Sequence, residues 1–473
     1  MTETVYAKRI VDFKNIKRPE LVIEKRDLTV GIYEEGFAEA TVEGGYIVLD
    51  FGKEMCGGVR IITGWIDNAE KFATVRIRFG ESLSEVYSEL GEKNSTNHHA
   101  PRDFRYPISG LSDLKIGDTG YRFIRVDFPE GVKIPVKSIH GTNTILKLPA
   151  KYRYNGPDKR IKAIFDAAKR TVDLCSSSGW VWDGIKRDRL VWIGDLYPEI
   201  LSLTAMYGRV KAIENSLDFE RRRARYKGKW SCSIASYSLW WVCCLSEYCY
   251  LTGATDFAER EVDYIGEILD ICLEHVDESG EMHYPNYFVD WPTCGKADDR
   301  VGVRFINILA AKKAKRLYET LGMDTSAADE LLSRLMKGDM TVKCMKQVVG
   351  LKYYALGEIT DEDYALITEG GAKGLSTFMS YFILGAIASR DPDLAVSIMK
   401  DYYGAMLDKG ATTFFEDFDM DWVEGSSRID ELPKDGEKDI HGDFGKHCYV
   451  GFRHSLCHAW SSGVIKFIKE YCS

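Results

Sequence analysis

Apolar and polar positions along this chain follow two different periods. Up to about residue 145 they alternate in short runs. GGYIVLDFG, GGVRIITGW, FATVRIRFG and YRFIRVDFP are β-branched and aromatic stretches bounded by Gly, Pro or Asp. That is the pattern of strands with one buried face, and in VRIRF at 75–79 the alternation is strict. Many short strands of this kind fit an antiparallel β-sandwich. The polar stretch SLSEVYSELGEKNSTNHHAPRDF between them reads as a long loop.

From about residue 155 the period changes. In PDKRIKAIFDAAKRTVDLCSSS the apolar positions Ile161, Ile164, Phe165 and Ala168 recur at helical spacing. Further helical runs follow to the last one, SLCHAWSSGVIKFIKEY, and Gly253, Gly322 and Gly410 sit where helices should stop. The expected division is a β domain over 1–150 and an all-α domain over 151–473, its paired helices packed into a toroid or bundle. Strands do not alternate with helices, so a parallel α/β sheet is excluded. Neither a phosphate-binding glycine loop nor HExxH occurs.

Composition narrows the class. The chain has 473 residues, is 45% hydrophobic and 29% charged, and carries a net charge of −9. Nothing in that balance suggests nucleic acid or an anionic membrane as partner. Aromatic content is 12%, with 10 Trp and 26 Tyr, which favours aromatic-lined clefts. The N-terminus lacks the apolar core of a signal peptide, and no apolar stretch reaches the roughly 18 residues of a membrane span. The twelve cysteines are scattered and form no CxxC pair; Cys243, Cys244 and Cys249 lie in an apolar run. Buried thiols in a reduced, cytoplasmic protein are expected, without a structural zinc site.

The candidate chemistry lies in two acidic clusters. DGIKRDRLVWIGD at 183–195 holds three aspartates, two arginines, a lysine and a tryptophan. If residues 187–195 are helical, Asp188, Trp192 and Asp195 share one face. Two acids flanking an indole suit a pyranose, whose hydroxyls the acids accept and whose ring face the indole covers. Arg187 and Arg189 would keep some carboxylates ionised while burial against Trp raises another, the splitting that an acid–base pair needs. The bland alternative is a salt-bridged helix start. The second cluster, ATTFFEDFDMDW at 411–422, places Glu416 directly after buried aromatics, with Asp417, Asp419 and Asp421 beyond. A carboxylate there is either paired with Arg or used in catalysis. Calcium binding by the three aspartates is an open alternative without EF-hand spacing. Asp290 and Trp291 repeat the acid–indole pairing in a loop. Trp240 faces either a cleft or the core. His454 and His458 lack a third zinc ligand and read as hydrogen-bonding or packed residues.

Together these segments resemble a known family. Asp183 to Asp195 is similar to the signature of the bacterial α-L-rhamnosidases of glycoside hydrolase family 78. GATTFFEDF at 410–418, VDWP at 289–292, SLCHAWSSG at 455–463, LDFGKEMCGGVRI and GYRFIRV are similar to further segments of that family, in its order. The resemblance implies an (α/α)6 six-hairpin barrel after the β-sandwich and an exo-acting hydrolase that inverts the anomeric centre. It implies Asp188 as general acid and Glu416 as general base. It implies that Asp183, Arg187, Trp192 and Asp195 hold the sugar; Asp290, Trp291, Trp240, His454 and His458 are further candidates to bind a small oligosaccharide or glycoside, and no metal or cofactor is expected. The family usually has Glu where this chain has Asp188, and Asp-Cys-Pro where it has Asp183-Gly184-Ile185. The chain also stops at the barrel, which leaves surface for a homodimer.

Three readings follow. The first is an α-L-rhamnoside hydrolase, or a hydrolase of another deoxysugar on the same barrel. The second is a uronate-directed lyase using Tyr287, His283 and Arg300. The third is a non-catalytic sugar-binding relative whose acid has been shortened.

Overall fold

The structure is a computed structural model. It describes residues 2–32, 34–67, 72–227, 230–447 and 449–472, with the side chains of 224–227 set aside. Nine antiparallel strands build the first part: β1 Thr2–Tyr6, β2 Arg9–Lys14, β3 Ile16–Lys17, β4 Ala38–Ala40, β5 Gly45–Thr63, β6 Phe72–Gly80, β7 Asp103–Ser109, β8 Asp113–Phe128 and β9 Ile134–Thr144. A short helix, α1 (Leu83–Tyr87), follows β6.

The runs GGYIVLDFG and GGVRIITGW, expected as separate strands, are one 19-residue strand, β5. Its first half lies between β2 and the end of β8; its second half lies between the start of β8 and β9. β6 and β7 extend one layer, and β4, β3 and β1 extend the other. The register breaks between Asp50 and Met55 and between Gly57 and Val59 let β5 pass from layer to layer. Gly58 is required at the second break, because a Cβ there would lie 2.1 Å from the Gly117 carbonyl. Ile47, Leu49, Val75 and Ile124 of one layer and Val59, Ile61 and Ile139 of the other share one buried cluster.

The second part is helical: α2 Lys159–Cys175, α3 Leu196–Tyr207, α4 Lys211–Lys227, α5 Ala235–Thr252, α6 Thr255–Glu261, α7 Asp263–His275, α8 Asp299–Leu321, α9 Ser326–Leu335, α10 Lys346–Leu356, α11 Asp361–Thr368, α12 Ser380–Ala388, α13 Pro392–Asp408 and α14 Val464–Tyr471. α3 packs on α5, α5 on α8, α8 on α10, α10 on α12, α12 on α14, and α14 returns to α3. Six inner helices thus close a ring, and the others lie outside it, as in an (α/α)6 barrel. Sequence decides which helix goes where. Every residue of α3 and of α12 is buried, which only an interior position allows. The outer α2 and α9 bury one face. α10 and α12 approach closely at Gly350, where a Cβ would lie 2.9 Å from the Phe382 backbone.

The β domain is bound to the barrel by polar contacts. Arg122 ties Asp50 to Asp430 and donates to the Gly410 carbonyl at 3.0 Å. Leu83 N–H donates to the Ile429 carbonyl at 2.8 Å. These contacts lie along the loops that carry the acidic clusters. Among the described residues, no helix is long and apolar enough to cross a membrane.

Candidate active site

The expected helix over 187–195 does not form. Residues 183–194 are a loop, and α3 begins only at Leu196. Asp188 and Arg189 have φ of 56° and 52°, left-handed values that an α-helix cannot contain. Asp183 closes the loop instead. Its N–H donates to the Leu190 carbonyl at 3.0 Å, and its carboxylate accepts the Leu190 N–H at 2.9 Å. Ala459 N–H donates to the Asp183 carbonyl at 2.7 Å, seating the loop on the segment before α14. Asp183 is therefore a loop-closing acid. Burial, then the neighbouring Asp188 charge, pushes its carboxyl well above the usual range.

The turn at Asp188 brings the two clusters together through Arg187. Arg187 Nη2 donates to both oxygens of Glu416 at 2.8 Å, and Nη1 donates to Asp188 Oδ2 at 2.7 Å. Its Nε donates to the Arg453 carbonyl at 2.7 Å, and its plane lies 4.7 Å over the Tyr449 ring. One buried guanidinium thus spans the residues expected as acid and base. A planar fork does this and a lysine cannot. Glu416 also accepts the Ser455 N–H at 3.1 Å and lies 3.3 Å from His458 Nε2. Its backbone carbonyl accepts from Trp460 Nε1 at 2.8 Å and from the Thr377 hydroxyl at 2.5 Å. Burial alone would raise the Glu416 carboxyl; Arg187 and His458 outweigh it and hold the group well below the usual range.

Around this carboxylate Asp183, Asp195 and Asp417 are driven the opposite way. Burial, with the charges of Asp183 and Glu416, pushes Asp195 well above its usual range; its Oδ2 lies 3.7 Å from His458 Nε2. Burial raises Asp417 to about 6. His454 accepts the Asp417 N–H at Nε2, 2.8 Å away, and burial lowers it to about 3, so its ring is neutral. Glu416 held low beside acids pushed up is the split arrangement that acid–base chemistry uses.

Asp290 caps the turn that carries Trp291, accepting the Trp291 N–H at 2.8 Å and the Ser376 hydroxyl. Burial raises it to about 7. The unfolded value is about 3.9, so the folded state holds the Asp290 proton more tightly. Its contribution is present below about pH 4 and is lost as pH rises to 7, on the order of a few kcal/mol. Asp290→Asn keeps the cap without the titration. In urea denaturation it should show a shallower fall of stability between about pH 4 and 7 than the parent, and greater stability above it.

Aromatic rings run beside these acids. Trp192 meets Tyr237 edge-on, Tyr237 meets Phe288, Phe288 meets Trp291, and Trp291 meets Tyr449 and His447. Trp240 does not join them. It is 1% exposed and packs on Tyr197, Phe378 and Phe382 in the ring core. A cavity of about 420 Å³, lined by Pro292, Gln347, Leu375, Asp417, Trp422 and His447 among others, opens at Asp417, next to Glu416. Gln347 is buried, and its Oε1 has no hydrogen-bond partner. Asp417, Asp419 and Asp421 diverge: Asp419 accepts the Asp421 N–H, and Asp421 pairs with Lys373 at 2.7 Å. They do not form a calcium cage.

Sequence reasoning missed what the β domain brings. Glu81 and Glu85, at and just before α1, are buried beside His441. This is a ligand set that could hold a metal, but the Lys186 ammonium already lies 3.3 Å from Glu81 and 3.1 Å from Glu85. His441 is also engaged, with Ser82 at Nδ1 and the His454 carbonyl at Nε2. Lys186 is therefore the cation of this cluster, and it anchors the loop one residue before Arg187. The second missed group is His99, whose Nδ1 lies 2.5 Å from Asp188 Oδ1. Glu85 and His99 come from the stretch read as a polar loop and Glu81 directly precedes it, and spacing carries no signal for contacts across such separations.

No protein-family model matches the chain, and no curated protein sequence is significantly similar to it. Solved structures match it over its length. A rhamnosidase from Klebsiella oxytoca with rhamnose bound aligns with a TM-score of 0.73 at 18% identity, covering 100% of this chain and 96% of that one. A family GH78 rhamnosidase of Bacillus sp. GL1 aligns with a TM-score of 0.70 at 19% identity, covering 95% and 48%. Streptomyces avermitilis α-L-rhamnosidase complexed with L-rhamnose aligns with a TM-score of 0.58 at 16% identity, covering 89% and 42%. The chain has the fold of the GH78 α-L-rhamnosidases: a β domain followed by the helical barrel.

Proposed function

We propose that this protein is an exo-acting, inverting glycoside hydrolase that removes terminal α-L-rhamnose from oligosaccharides or glycosides. The observation that carries the reading is the Arg187 fork, which holds Asp188 and Glu416 on one guanidinium beside a row of aromatic rings. The fold shared with rhamnosidases, two of them holding rhamnose, points to the same sugar. Asp188 donates its proton to the leaving oxygen as the bond from the anomeric carbon breaks. Water attacks from the opposite face and gives its proton to Glu416. Arg187 keeps Glu416 ionised for that step, and the water becomes acidic enough as it bonds to carbon. Trp192 and Trp291 cover the apolar face and methyl of the sugar, and the adjoining cavity receives the rest of the substrate.

The lyase reading has weaker support. His283 pairs with Asp277, Tyr287 donates to the Met282 carbonyl at 2.5 Å, and Arg300 pairs with Glu281. These residues brace their own loop. The deciding experiment incubates the protein with aryl α-L-rhamnoside, α-L-fucoside, α-L-arabinoside and β-glucuronide. Proton NMR then follows the first sugar released. Expected is rhamnose of inverted anomeric form; no turnover of the rhamnoside, or an unsaturated product, overturns the reading.

A further inference from the structure

His99 is not in the helical barrel. It reaches the site from the loop between α1 and β7, and that loop is built to hold it. Asn97 Oδ1 accepts the N–H groups of Arg102 and Asp103, both at 3.0 Å, and its Nδ2 donates to the Asp103 carbonyl at 2.8 Å. The buried Arg102 guanidinium donates to the Phe79 carbonyl at 3.2 Å and to the Glu85 carbonyl at 2.5 Å. On this base His99 adopts φ of 71°, a left-handed value uncommon outside glycine. Asp188 across the contact is left-handed as well, and Arg189 beside it is pinned by Asp118 at 3.0 Å and stacked 4.6 Å over Trp182. Two domains each hold a left-handed residue, and those residues meet at 2.5 Å. Left-handed backbone on both sides of one contact fixes the approach of the two side chains and motivates a functional reading.

The contact has a chemical consequence. Asp188 Oδ2 accepts from Arg187 Nη1, and its Oδ1 faces His99 Nδ1. The acid of a glycosidase must deliver a proton and regain one between turnovers. Arg187 cannot supply one. The His99 side chain is 30% exposed against 14% for Asp188, so it is the member of the pair that meets solvent. The other groups around it are the His98 ring at 3.7 Å and Arg453, whose Nη1 lies 3.3 Å from His98 Nδ1.

We propose that His99 is a positioning and proton-supplying residue of the site, acting through Asp188. Protonated His99 holds the Asp188 carboxylate by its Nδ1–H. As the glycosidic bond breaks, that proton crosses to Asp188 Oδ1 and from there to the leaving oxygen, and the electron pair of the broken bond stays on that oxygen. Water adds to the anomeric carbon and passes its proton to Glu416, which returns it to solvent. His99 then takes a proton back from solvent. The β domain thereby completes the catalytic site. The inference rests on the hydrolase reading above.

The test compares two leaving groups in three proteins. With an alkyl α-L-rhamnoside, whose oxygen needs a proton to leave, His99→Ala should lose about 100-fold in kcat. With 2,4-dinitrophenyl α-L-rhamnoside, which leaves unaided, the loss should be under about threefold. His99→Asn keeps an N–H at the place of Nδ1 but carries no transferable proton; it should restore KM and leave the alkyl substrate slow. Equal kcat in parent and His99→Ala, an equal loss on both substrates, or full rescue by Asn overturns the proposal. No turnover of either substrate by the parent protein refutes the hydrolase reading instead, and the proposal with it.

Discussion

Glu416→Gln lowers kcat about 10²–10⁴-fold, while L-rhamnose still binds in calorimetry. The substitution keeps volume and keeps an oxygen for Arg187 Nη2 and the Ser455 N–H, so the packing around Thr377 and Trp460 survives. What is lost is the capacity to accept a proton. The same outcome is expected of Asp188→Asn, with smaller losses on substrates whose leaving groups need no proton. Full activity in Glu416→Gln would remove Glu416 from catalysis and leave its ion pair with Arg187 as a structural one. Binding without turnover in the parent protein would make the site a sugar receptor.

Arg187→Ala carries the largest expected cost in stability, about 3–5 kcal/mol, because it leaves a buried carboxylate without its countercharge. The sign of the pH dependence changes with it. In the parent, Glu416 lies below its unfolded value, so its contribution is present above about pH 4.3 and is lost as pH falls through the folded value. In Arg187→Ala burial dominates and the carboxyl rises; its contribution is then present in acid and lost as pH rises toward neutrality. Urea denaturation from pH 4 to 8 should therefore show the variant losing most stability at the upper end. A variant as stable as the parent at pH 8 would mean that solvent already reaches Glu416. Arg187→Lys should fail as well, since an ammonium cannot serve Asp188 and both oxygens of Glu416 together.

The fold was legible because its signal is local. Alternation at 75–79 and the 3.6-residue spacing of Ile161, Ile164 and Ala168 report burial directly, and the structure places those residues in the cores expected. The acidic clusters were legible as clusters, because charge beside buried aromatics is costly without a use. Their geometry was not. Helical spacing put Asp188, Trp192 and Asp195 on one face, but left-handed backbone at Asp188 and Arg189 breaks the helix there. Nothing local demanded that turn; contacts of Arg187 with Glu416 and of Arg189 with Asp118 hold it. Trp240 was ambiguous for the converse reason, since an indole at a helix start packs equally well inward.

By itself the sequence determined the two halves of the chain, their order, and the two acidic clusters. Those follow from periodicity and from the cost of burying charge, both readable within about ten residues. Tertiary structure alone decided which acids meet. It set Arg187 between Asp188 and Glu416, turned Asp183 into the closure of a loop, and brought His99 and the partners of Lys186, Glu81 and Glu85, from the β domain. The reason is range. Such contacts join segments up to hundreds of residues apart, and the packing of whole domains fixes them, through forces that leave no period in the chain.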